Sequence, residues 1–511
     1  MAERMATTNQ KIGQLIAQVR QEKGLTQAEF ARRLNTSQSA VNRMEHGRQN
    51  LSLETLGRIS DTLNKQLLSL NRGGINLHIE GGHELKGKID LKTSKNAAVA
   101  LLCASLLNHG VTRFKAFPRI EEVYRIIEVL ESIGVQVKWL PGNDLEIRRP
   151  AKLKLDNLNA AAARKTRSVL MLIGPLLHEH KEFKIPYAGG CKLGTRTVQP
   201  HLFALEEFGV SIVATGGYYH IKVNPKPAGE IVLYESGNTV TNNVLMAAAG
   251  AADKTVVQAA SGDYMVQDLS HFLRRLGVQV DGIGTSFLTI QGVKHIKKNV
   301  TFAPSEDPIE AMFFISAAVT TNSKITICRV PYKWIGLELL KLKKMGVKFR
   351  MSQPYKAANG TTDLADITIE KHEPGDLKAL PEKLHPNLFP GLNPDNLPYF
   401  VPIAAVCHGR TLIHDWMYEN RAPYYTEMTK LGASVELADP HRIYVTGPTR
   451  FTAADVVCPP ALRPASLLLI GMLAARGNSI LRNVYTINRG YEDLAERLNS
   501  LGAHINVMHE I

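Results

Sequence analysis

The sequence predicts an α/β protein with two lobes of three β-α-β-α-β-β repeats each, preceded by a small all-α domain. Two observations predict this fold class. A pattern of Leu or Met, two residues, an apolar residue and Gly, followed by a short apolar strand, recurs at intervals of about 70 to 85 residues. An Ala- and Leu-rich segment with almost no charge also occurs once in each interval. The first 72 residues lack both patterns and are therefore expected to form a separate domain.

The glycine of each repeat predicts the end of an amphipathic helix. Gly directly after a helix commonly adopts the left-handed cap conformation, and a following Val-x-Val is typical of a half-buried strand. We expect this arrangement at six glycines: Gly134, Gly209, Gly277, Gly346, Gly432 and Gly502.

The uncharged segments predict the core of each lobe. Helices that are apolar on all sides are buried, so each repeat should place one helix inside and its amphipathic helix outside, against a sheet. The six expected buried helices span residues 96–107, 167–177, 242–252, 310–319, 399–407 and 464–475.

The repeats also predict the domain boundaries. The Asn-Arg-Gly-Gly at 71–74 is typical of a junction, and the polar, basic HIKKN near 296–300 follows the third repeat. We expect a helix-turn-helix domain at residues 1–72. The first lobe should comprise residues 76–95 with 300–511, and the second lobe residues 96–299.

The N-terminal segment LTQAEFARRLNTSQSAVNRMEHGRQNLSLETLGRISDTLN (25–64) resembles the helix-turn-helix of phage-repressor-like regulators. We expect one helix from Gln27 to Leu34, a turn, and a second helix from Gln38 to Glu45. In that family the second helix enters the major groove of DNA. The positions then expected to face base edges are Gln38, Ser39, Asn42 and Arg43. Such modules usually bind as dimers, so DNA binding implies a homodimer; the alternative is a helical bundle that only mediates dimerisation or docking.

Composition narrows the class of protein. The net charge of +14 is spread over the chain and permits nucleic acid or anionic small molecules as partners. No apolar stretch reaches the roughly 20 residues that span a bilayer, so we expect a cytoplasmic protein without membrane association. The five scattered cysteines suggest neither a disulfide framework nor a metal site, and we expect no metal and no cofactor.

One cysteine lies in a setting that favours reactivity. Cys191 follows two glycines in the polar loop YAGGCKLGTRTVQPH (187–201), with Lys192 and Arg196 nearby. Neighbouring cations lower the pKa of a thiol and make it a better nucleophile. The residues alone leave a functional Cys191 and a plain loop cysteine equally open.

The GGCKLGTRTVQPH loop resembles the active-site loop of UDP-N-acetylglucosamine 1-carboxyvinyltransferases, which commit UDP-N-acetylglucosamine to peptidoglycan synthesis. The resemblance covers about residues 76–511 and includes IEGGHELKGKIDLKTSKNAA (79–98). It implies that family's inside-out α/β barrel and an enzyme that transfers enolpyruvyl from phosphoenolpyruvate to the sugar 3-hydroxyl. Further matches to the family are Lys95 with Asn96, Arg167, Asp307 in SEDPIE, Arg421 in YENRAPYY and Arg489 in INRGYE.

The resemblance also implies roles for these residues. The phosphate and carboxylate of phosphoenolpyruvate need converging cations, which would be Lys95, Arg196, Arg421 and Arg489. The sugar hydroxyl must lose a proton, a general-base role that falls to Asp307, and Cys191 would act as acid or covalent nucleophile. The acceptor would be bound by Asn96, Arg167, Gln199, His201 and Thr241.

Several departures from the family concern the acceptor. Gln199 stands where the family usually has Asp, two residues before His201, and the Ser-Val-Gly-Ala-Thr loop for the diphosphate appears as SGNTVT (236–241). The Phe-Pro-Thr-Asp-x-Gln segment has become FPGLNPDNLPYF (389–400), with Asp395 retained and the Gln lost. The family also implies a cation just upstream of this segment, and the nearest candidate here is Lys383. Two alternatives therefore stay open: a different uridine nucleotide as acceptor, or a DNA-binding regulator whose enzyme-like part senses a UDP-sugar.

Overall fold

The computed structural model of the chain describes residues 8–49, 51, 53–63, 75–189 and 197–509. The N-terminal domain is helical. Its described residues form the helices α1 (Thr8–Glu22), α2 (Gln27–Arg33), α3 (Gln38–Glu45) and α4 (Leu53–Leu63).

The predicted helix-turn-helix is confirmed at α2 and α3. The Thr26 hydroxyl caps α2 by accepting a hydrogen bond from the amide of Glu29. The Glu29 carboxylate in turn accepts from the amide of Thr26, and the two bonds form a capping box. Ser37 caps α3 in the same way, through the amide of Ala40. Asn35 joins the two helices in a left-handed conformation with φ of 54°. The turn therefore fixes α3 across α2, as in DNA-binding modules of this type.

The rest of the chain alternates helices and strands. The α-helices are α5 (Lys95–Ala104), α6 (Glu121–Ser132), α7 (Ala160–Ala163), α8 (Ile173–Leu176), α9 (Gln199–Glu206), α10 (Asn238–Gly250), α11 (Tyr264–Leu276), α12 (Pro308–Thr320), α13 (Gly336–Lys344), α14 (Phe400–Val406), α15 (Leu462–Ala474), α16 (Tyr485–Asn488) and α17 (Leu494–Ser500). Longer 3-10 segments occur at Arg167–Leu172 and Ala422–Leu431.

The strands are β1 (Ile75–Gly81), β2 (Lys86–Asp90), β3 (Val111–Phe114), β4 (Gln136–Leu140), β5 (Asp144–Arg148), β6 (Glu182–Pro186), β7 (Val210–Thr215), β8 (Tyr218–Val223), β9 (Glu230–Val232), β10 (Lys254–Gln258), β11 (Gln279–Asp281), β12 (Phe287–Gln291), β13 (Val300–Phe302), β14 (Lys324–Val330), β15 (Phe349–Met351), β16 (Tyr355–Lys356), β17 (Asp363–Ile369), β18 (Gly409–His414), β19 (Ser434–Asp439), β20 (Arg442–Gly447), β21 (Asp455–Val457), β22 (Gly477–Arg482) and β23 (His504–His509).

In the described part of the chain these strands form six sheets, three in each lobe, of which four are mixed and two, β18-β20-β19 and β6-β8-β7, are antiparallel. In lobe 1 their orders are β21-β22-β1-β23, β15-β17-β14-β2 with β16 beside β17, and β18-β20-β19. In lobe 2 they are β13-β3-β5-β4, β6-β8-β7 and β11-β12-β10-β9. Parallel pairs such as β2 with β14 contrast with the antiparallel pairing of β1 with β22 and β23. The predicted α/β class is confirmed.

The buried helices lie where the uncharged segments predict them. In lobe 1, α12 contacts both α14 and α15, and in lobe 2, α10 contacts α5 and α8. Every residue of α12 is buried. One departure is the second repeat, where residues 167–172 form a 3-10 helix ahead of the short α8. Pro175 removes an amide donor there, which shortens the regular α-helix.

The six repeat glycines all adopt the left-handed conformation, with φ between 80° and 98°. They end the amphipathic segments α6, α9, α11, α13, Ala422–Leu431 and α17. At Gly209 an added Cβ would also lie 1.8 Å from the carbonyl oxygen of Asn224, so the neighbouring chain excludes a side chain. The predicted caps are confirmed.

The exact limits of the two lobes stay a prediction. Strand β13, which directly follows the expected limit at residue 299, pairs in parallel with β3 of lobe 2. Across the described ranges, every helix is either too short or too polar to cross a bilayer.

Candidate functional site

A cavity of about 800 Å³ lies between the two lobes. Lobe 2 contributes the start of α5, the start of the 167–172 segment and the turn before α10 to its walls. Lobe 1 contributes residues 387–395, 416–421 and 461–464, together with Arg489. The cavity therefore collects charged side chains that lie far apart in the sequence.

At one end of the cavity, Lys95 forms an ion pair with Glu122. Lys95 Nζ lies 2.8 Å from Glu122 Oε2, and both side chains are largely buried. Burial would raise the pKa of Glu122, but the charges of Lys95 and Arg489 outweigh it and lower the pKa to about 2. The predicted cations Lys95 and Arg489 thus face the same carboxylate and the same cavity.

Arg421 is held rigidly in the lobe 1 wall. Its Nε and Nη2 donate to the two carboxylate oxygens of Asp415 at 2.6 and 2.8 Å. Tyr425 donates its hydroxyl to the same carboxylate at 2.5 Å. Nη2 also donates to the carbonyl of Pro394 at 2.6 Å, and Nη1 lies 3.5 Å from Asp395, so the guanidinium is held from three sides at the cavity wall.

Asp395 lies between two arginines of the same wall. Its carboxylate is 3.2 Å from Arg463 Nη2 and 3.5 Å from Arg421 Nη1. Burial opposes ionisation, yet the charges of Arg463, Arg421 and Lys95 lower the pKa of Asp395 below its ordinary value. Asp395 is therefore an ionised carboxylate within a group of cations.

The opposite wall, in lobe 2, contains Arg167 and His201. Arg167 donates to the carbonyl of Thr197 at 2.5 Å. His201 is buried between Asn243 at Nδ1 and Thr239 at Nε2, each at 3.2 Å. Burial, assisted by the charge of Arg167, lowers the pKa of His201 to about 3. At neutral pH this imidazole is therefore uncharged.

The same wall carries two carboxylates, Glu235 and Asp263. Asp263 caps α11 by accepting from the amide of Tyr264, and it accepts from Asn238 Nδ2 at 2.8 Å. Burial raises the pKa of Asp263 to about 6, and the charge of Asp395 adds to the effect. Asp263 is thus mainly ionised at neutral pH.

The other predicted residues differ in their positions. Asn96 lines the cavity and its Nδ2 donates to the hydroxyl of Tyr264 at 3.2 Å. Thr241 is fully buried and donates to the carbonyl of Gly237, whereas Gln199 is exposed on the first turn of α9. Neither Thr241 nor Gln199 is among the described residues that line the cavity. Cys191 and Arg196 lie outside the described residues.

Asp307, the expected general base, caps α12. Its Oδ1 accepts hydrogen bonds from the amides of Ile309 and Glu310 at 2.8 and 3.3 Å. Among the described residues, Asp395 contributes to the cavity lining and Asp307 does not. Burial raises the pKa of Asp307, against the charge of Arg463. The assignment of the base to Asp307 stays a prediction, and Asp395 has the better access to a bound molecule.

Sequence reasoning missed Glu122, Asp263 and Arg463, and it gave Asp395 no role. For Arg463 a signal existed. It lies in the first turn of the buried helix α15, where the positive end of the helix dipole disfavours a cation. A buried arginine in such a position is expected to have carboxylate partners or a function, and here it contacts Asp395.

The geometry suits binding of a small polyanion. Lys95, Arg421, Arg463 and Arg489 line one cavity from separate segments, and ionised carboxylates hold three of them in place. Converging cations with directional donors are what phosphate and carboxylate groups require. The adjacent Asp395 can accept a proton from a hydroxyl group bound beside such an anion.

Family models match both parts of the chain. Residues 79–498 match the family described as EPSP synthase (3-phosphoshikimate 1-carboxyvinyltransferase). Residues 16–70 match the family described as helix-turn-helix.

Curated relatives cover the same region. The chain is 30% identical to the UDP-N-acetylglucosamine 1-carboxyvinyltransferase of Bradyrhizobium diazoefficiens over 84% of its own length and 98% of that protein. It is 31% identical to the enzyme of that name from Treponema pallidum, over 84% and 98% of the two chains.

Solved structures share the fold. The enolpyruvyl transferase NikO from Streptomyces tendae aligns with a TM-score of 0.72 at 21% identity, over 86% of this chain and all of the other. EPSP synthase from Acinetobacter baumannii aligns with a TM-score of 0.66 at 19% identity, over 85% and 100% of the two chains.

Proposed function

Because the chain belongs to the enolpyruvyl transferase family of the UDP-N-acetylglucosamine 1-carboxyvinyltransferases, we propose that it transfers enolpyruvyl from phosphoenolpyruvate to a hydroxyl of a uridine sugar nucleotide. The names of the relatives make the 3-hydroxyl of UDP-N-acetylglucosamine the first acceptor to test. That reaction would supply a peptidoglycan precursor.

The observation that carries this proposal is the group of four cations at one end of the cavity. Lys95, Arg421, Arg463 and Arg489 come from four segments and face one space. Phosphoenolpyruvate carries two anionic groups on three carbons, so it needs cations on more than one side. Ion pairs with Glu122, Asp395 and Asp415 hold Lys95, Arg463 and Arg421 in place before the substrate arrives, which reduces the cost of ordering them.

The proposed reaction has two steps. The acceptor oxygen adds to C2 of phosphoenolpyruvate while its proton passes to a carboxylate, and C3 gains a proton from an acid. Loss of a proton from C3 then expels phosphate from C2 and leaves an enol ether. We assign the acid to Cys191, which lies outside the described residues, and the phosphate and carboxylate contacts to Arg196 together with the four cavity cations.

We place the general base at Asp395 in preference to Asp307. The Asp395 carboxylate lines the cavity, whereas both described hydrogen bonds to Asp307 serve the amides of its own helix. Its lowered pKa keeps Asp395 ionised at neutral pH, as a base must be before it accepts a proton.

The direct experiment is release of phosphate from phosphoenolpyruvate by the full chain. UDP-N-acetylglucosamine, other uridine nucleotides and no acceptor are compared, with Cys191→Ala as the control. Release that depends on an acceptor and is lost in the variant supports the transfer. No release with any acceptor would reject the transfer and favour a regulator that only senses a ligand.

For the N-terminal domain we propose DNA binding, supported by the α3 surface. Gln38, Ser39, Asn42 and Arg43 are all exposed on α3, while Val41 and Met44 are buried against the domain core. This is the division expected of a recognition helix. A homodimer on DNA follows from the usual binding mode of such modules.

A further inference from the structure

A cluster of potential metal ligands lies on a sheet of lobe 1. Its members are Glu80 near the end of β1, His83 just after β1 and His504 at the start of β23. One carboxylate oxygen and one ring nitrogen from each histidine all lie within 4.8 Å of one another. None of the three residues is among the described residues that line the cavity. The cluster is therefore separate from the site proposed for enolpyruvyl transfer.

The backbone fixes the positions of these three residues. Glu80 and His504 are direct partners in the antiparallel pairing of β1 with β23. After Glu80 the chain bends at Gly82, which has φ of 84° and donates its amide to the carbonyl of Leu473 at 2.8 Å. The bend is thereby anchored to the buried helix α15, and it brings His83 beside Glu80.

The distances within the cluster suit a tetrahedral metal ion. His83 Nε2 lies 3.3 Å from Glu80 Oε1, and His504 Nδ1 lies 3.6 Å from Glu80 Oε2. The two imidazole rings are stacked, with their centroids 4.1 Å apart. Neighbouring ligand atoms on a tetrahedral Zn²⁺ with bonds of about 2.0–2.1 Å are about 3.4 Å apart. The three side chains therefore need only small rotations to bind one ion.

The donor atoms favour a divalent transition metal. Two imidazole nitrogens and a carboxylate oxygen suit Zn²⁺, whereas Mg²⁺ and Ca²⁺ prefer oxygen ligands. The hydrogen bond from His83 lowers the pKa of Glu80, so its carboxylate is ionised at neutral pH and can bind a cation. Glu84, the next carboxylate along the chain, is instead paired with Lys86 and Lys371.

We propose that Glu80, His83 and His504 bind one Zn²⁺ ion, with water as the fourth ligand. Glu80 and His504 are exposed, so the ion and its water have access from solvent. The ion joins the edge strand β23 to β1 and stabilises the folded lobe 1. The sequence, from which we expected no metal, does not indicate this site, because only the pairing of β1 with β23 brings the two histidines together. The inference is independent of the proposed function.

Calorimetric titration of the full chain with ZnCl₂, after treatment with EDTA and dialysis, tests this site. We expect the wild type to bind Zn²⁺ and to unfold at a higher temperature in its presence. His504→Ala and Glu80→Gln should each weaken Zn²⁺ binding at least about tenfold and reduce the rise in unfolding temperature. His220→Ala, which removes an exposed histidine of β8, should bind Zn²⁺ as the wild type does.

No binding of Zn²⁺ by the wild type would overturn the inference, as would wild-type affinity in both His504→Ala and Glu80→Gln. Cys191→Ala should retain the site; loss of binding there would overturn the inference, because the loop thiol would then be the ligand. A loss in His220→Ala equal to that in His504→Ala would also overturn it, since the ion would then bind to exposed histidines in general.

Discussion

Arg463 and Asp395, 68 residues apart in the sequence, meet in the cavity wall at 3.2 Å. The contact brings the start of a buried helix of lobe 1 to the turn at residues 393–396. Glu338 helps to hold this turn by accepting from the amide of Asn393 and from Asn396 Nδ2. The position of the Asp395 carboxylate is therefore fixed from several sides.

Asp395→Asn should lower the turnover number by about 100-fold or more, as expected for loss of a general base. Asn is similar in size but cannot accept the proton. Asp307→Asn is the matched comparison, since Asn also caps helices and should preserve α12. Phosphate release at saturating substrates measures both variants. A large loss of turnover in Asp307→Asn with a small loss in Asp395→Asn would show that Asp307, and not Asp395, is the general base.

Asp415→Asn should destabilise lobe 1 by about 3 kcal/mol, because it removes the carboxylate closest to the buried Arg421 and leaves Asp395, at 3.5 Å, as its charged partner. Both side chains are almost completely buried, so water cannot replace the lost contact. Urea unfolding measures the change. Asp455→Asn, which breaks the exposed pair with Arg482 at 2.5 Å, should leave the midpoint near that of the wild type. Equal effects of the two substitutions would contradict the prediction.

The fold could be predicted largely from the sequence because its signals are local and repeated. Each glycine cap and each uncharged helix is encoded within one short segment, and six repetitions support one interpretation. The 3-10 helix at residues 167–172 could not be predicted in this way. An apolar segment can form either an α-helix or a 3-10 helix. Which of the two forms at residues 167–172 depends on how Pro175 and the neighbouring α10 constrain the segment.

The site could be predicted only in part. Lys95, Arg421 and Arg489, which lie in motifs shared with the family, line one cavity, and their binding of phosphoenolpyruvate stays a prediction. The proposal of Asp395 over Asp307 as the base depends on the fold, which places Asp395 and not Asp307 in the described cavity lining. Aspartate before a proline can be a helix cap or a base, and the sequence alone does not show that Asp307 accepts hydrogen bonds from the amides of α12.

Gly189→Ala should impair the Cys191 loop without unfolding the chain. An added Cβ at Gly189 would lie 1.6 Å from the carbonyl oxygen of Arg164, so the start of the loop must move. Fosfomycin alkylates the corresponding cysteine in the family that the chain resembles, so we expect labelling of Cys191 in the wild type. Intact-mass analysis should show slower labelling in Gly189→Ala and none in Cys191→Ala.

Gly229→Ala is the control for this substitution, since an added Cβ there has no described atom within 4 Å. It should be labelled at the rate of the wild type. Equal labelling of Gly189→Ala and the wild type would show that the loop does not depend on this close approach.

Gln38→Ala combined with Arg43→Ala should lower affinity for a cognate DNA site by about tenfold or more, since each good base contact contributes about 1–3 kcal/mol. DNA fragments selected from a random pool by the wild-type chain provide the probe, and fluorescence anisotropy at fixed salt measures binding. Arg350→Ala, which removes an exposed cation of lobe 1, controls for the loss of positive charge. Unchanged affinity in the double variant would reject α3 as the recognition helix.

The contribution of Asp268 to stability should fall as the pH rises toward neutrality. Its carboxylate accepts from the amide and hydroxyl of Ser305 at 2.8 and 2.5 Å, and burial raises its pKa from 3.8 to about 7. A raised pKa in the folded state means that the stabilising contribution is complete below about pH 4 and is lost as the pH rises through about 7. Thermal unfolding of the wild type and Asp268→Asn between about pH 5 and 8 isolates this contribution. The midpoint of the wild type should fall relative to that of the variant over that window, and parallel curves would mean that Asp268 keeps the same protonation state in the folded and unfolded chain.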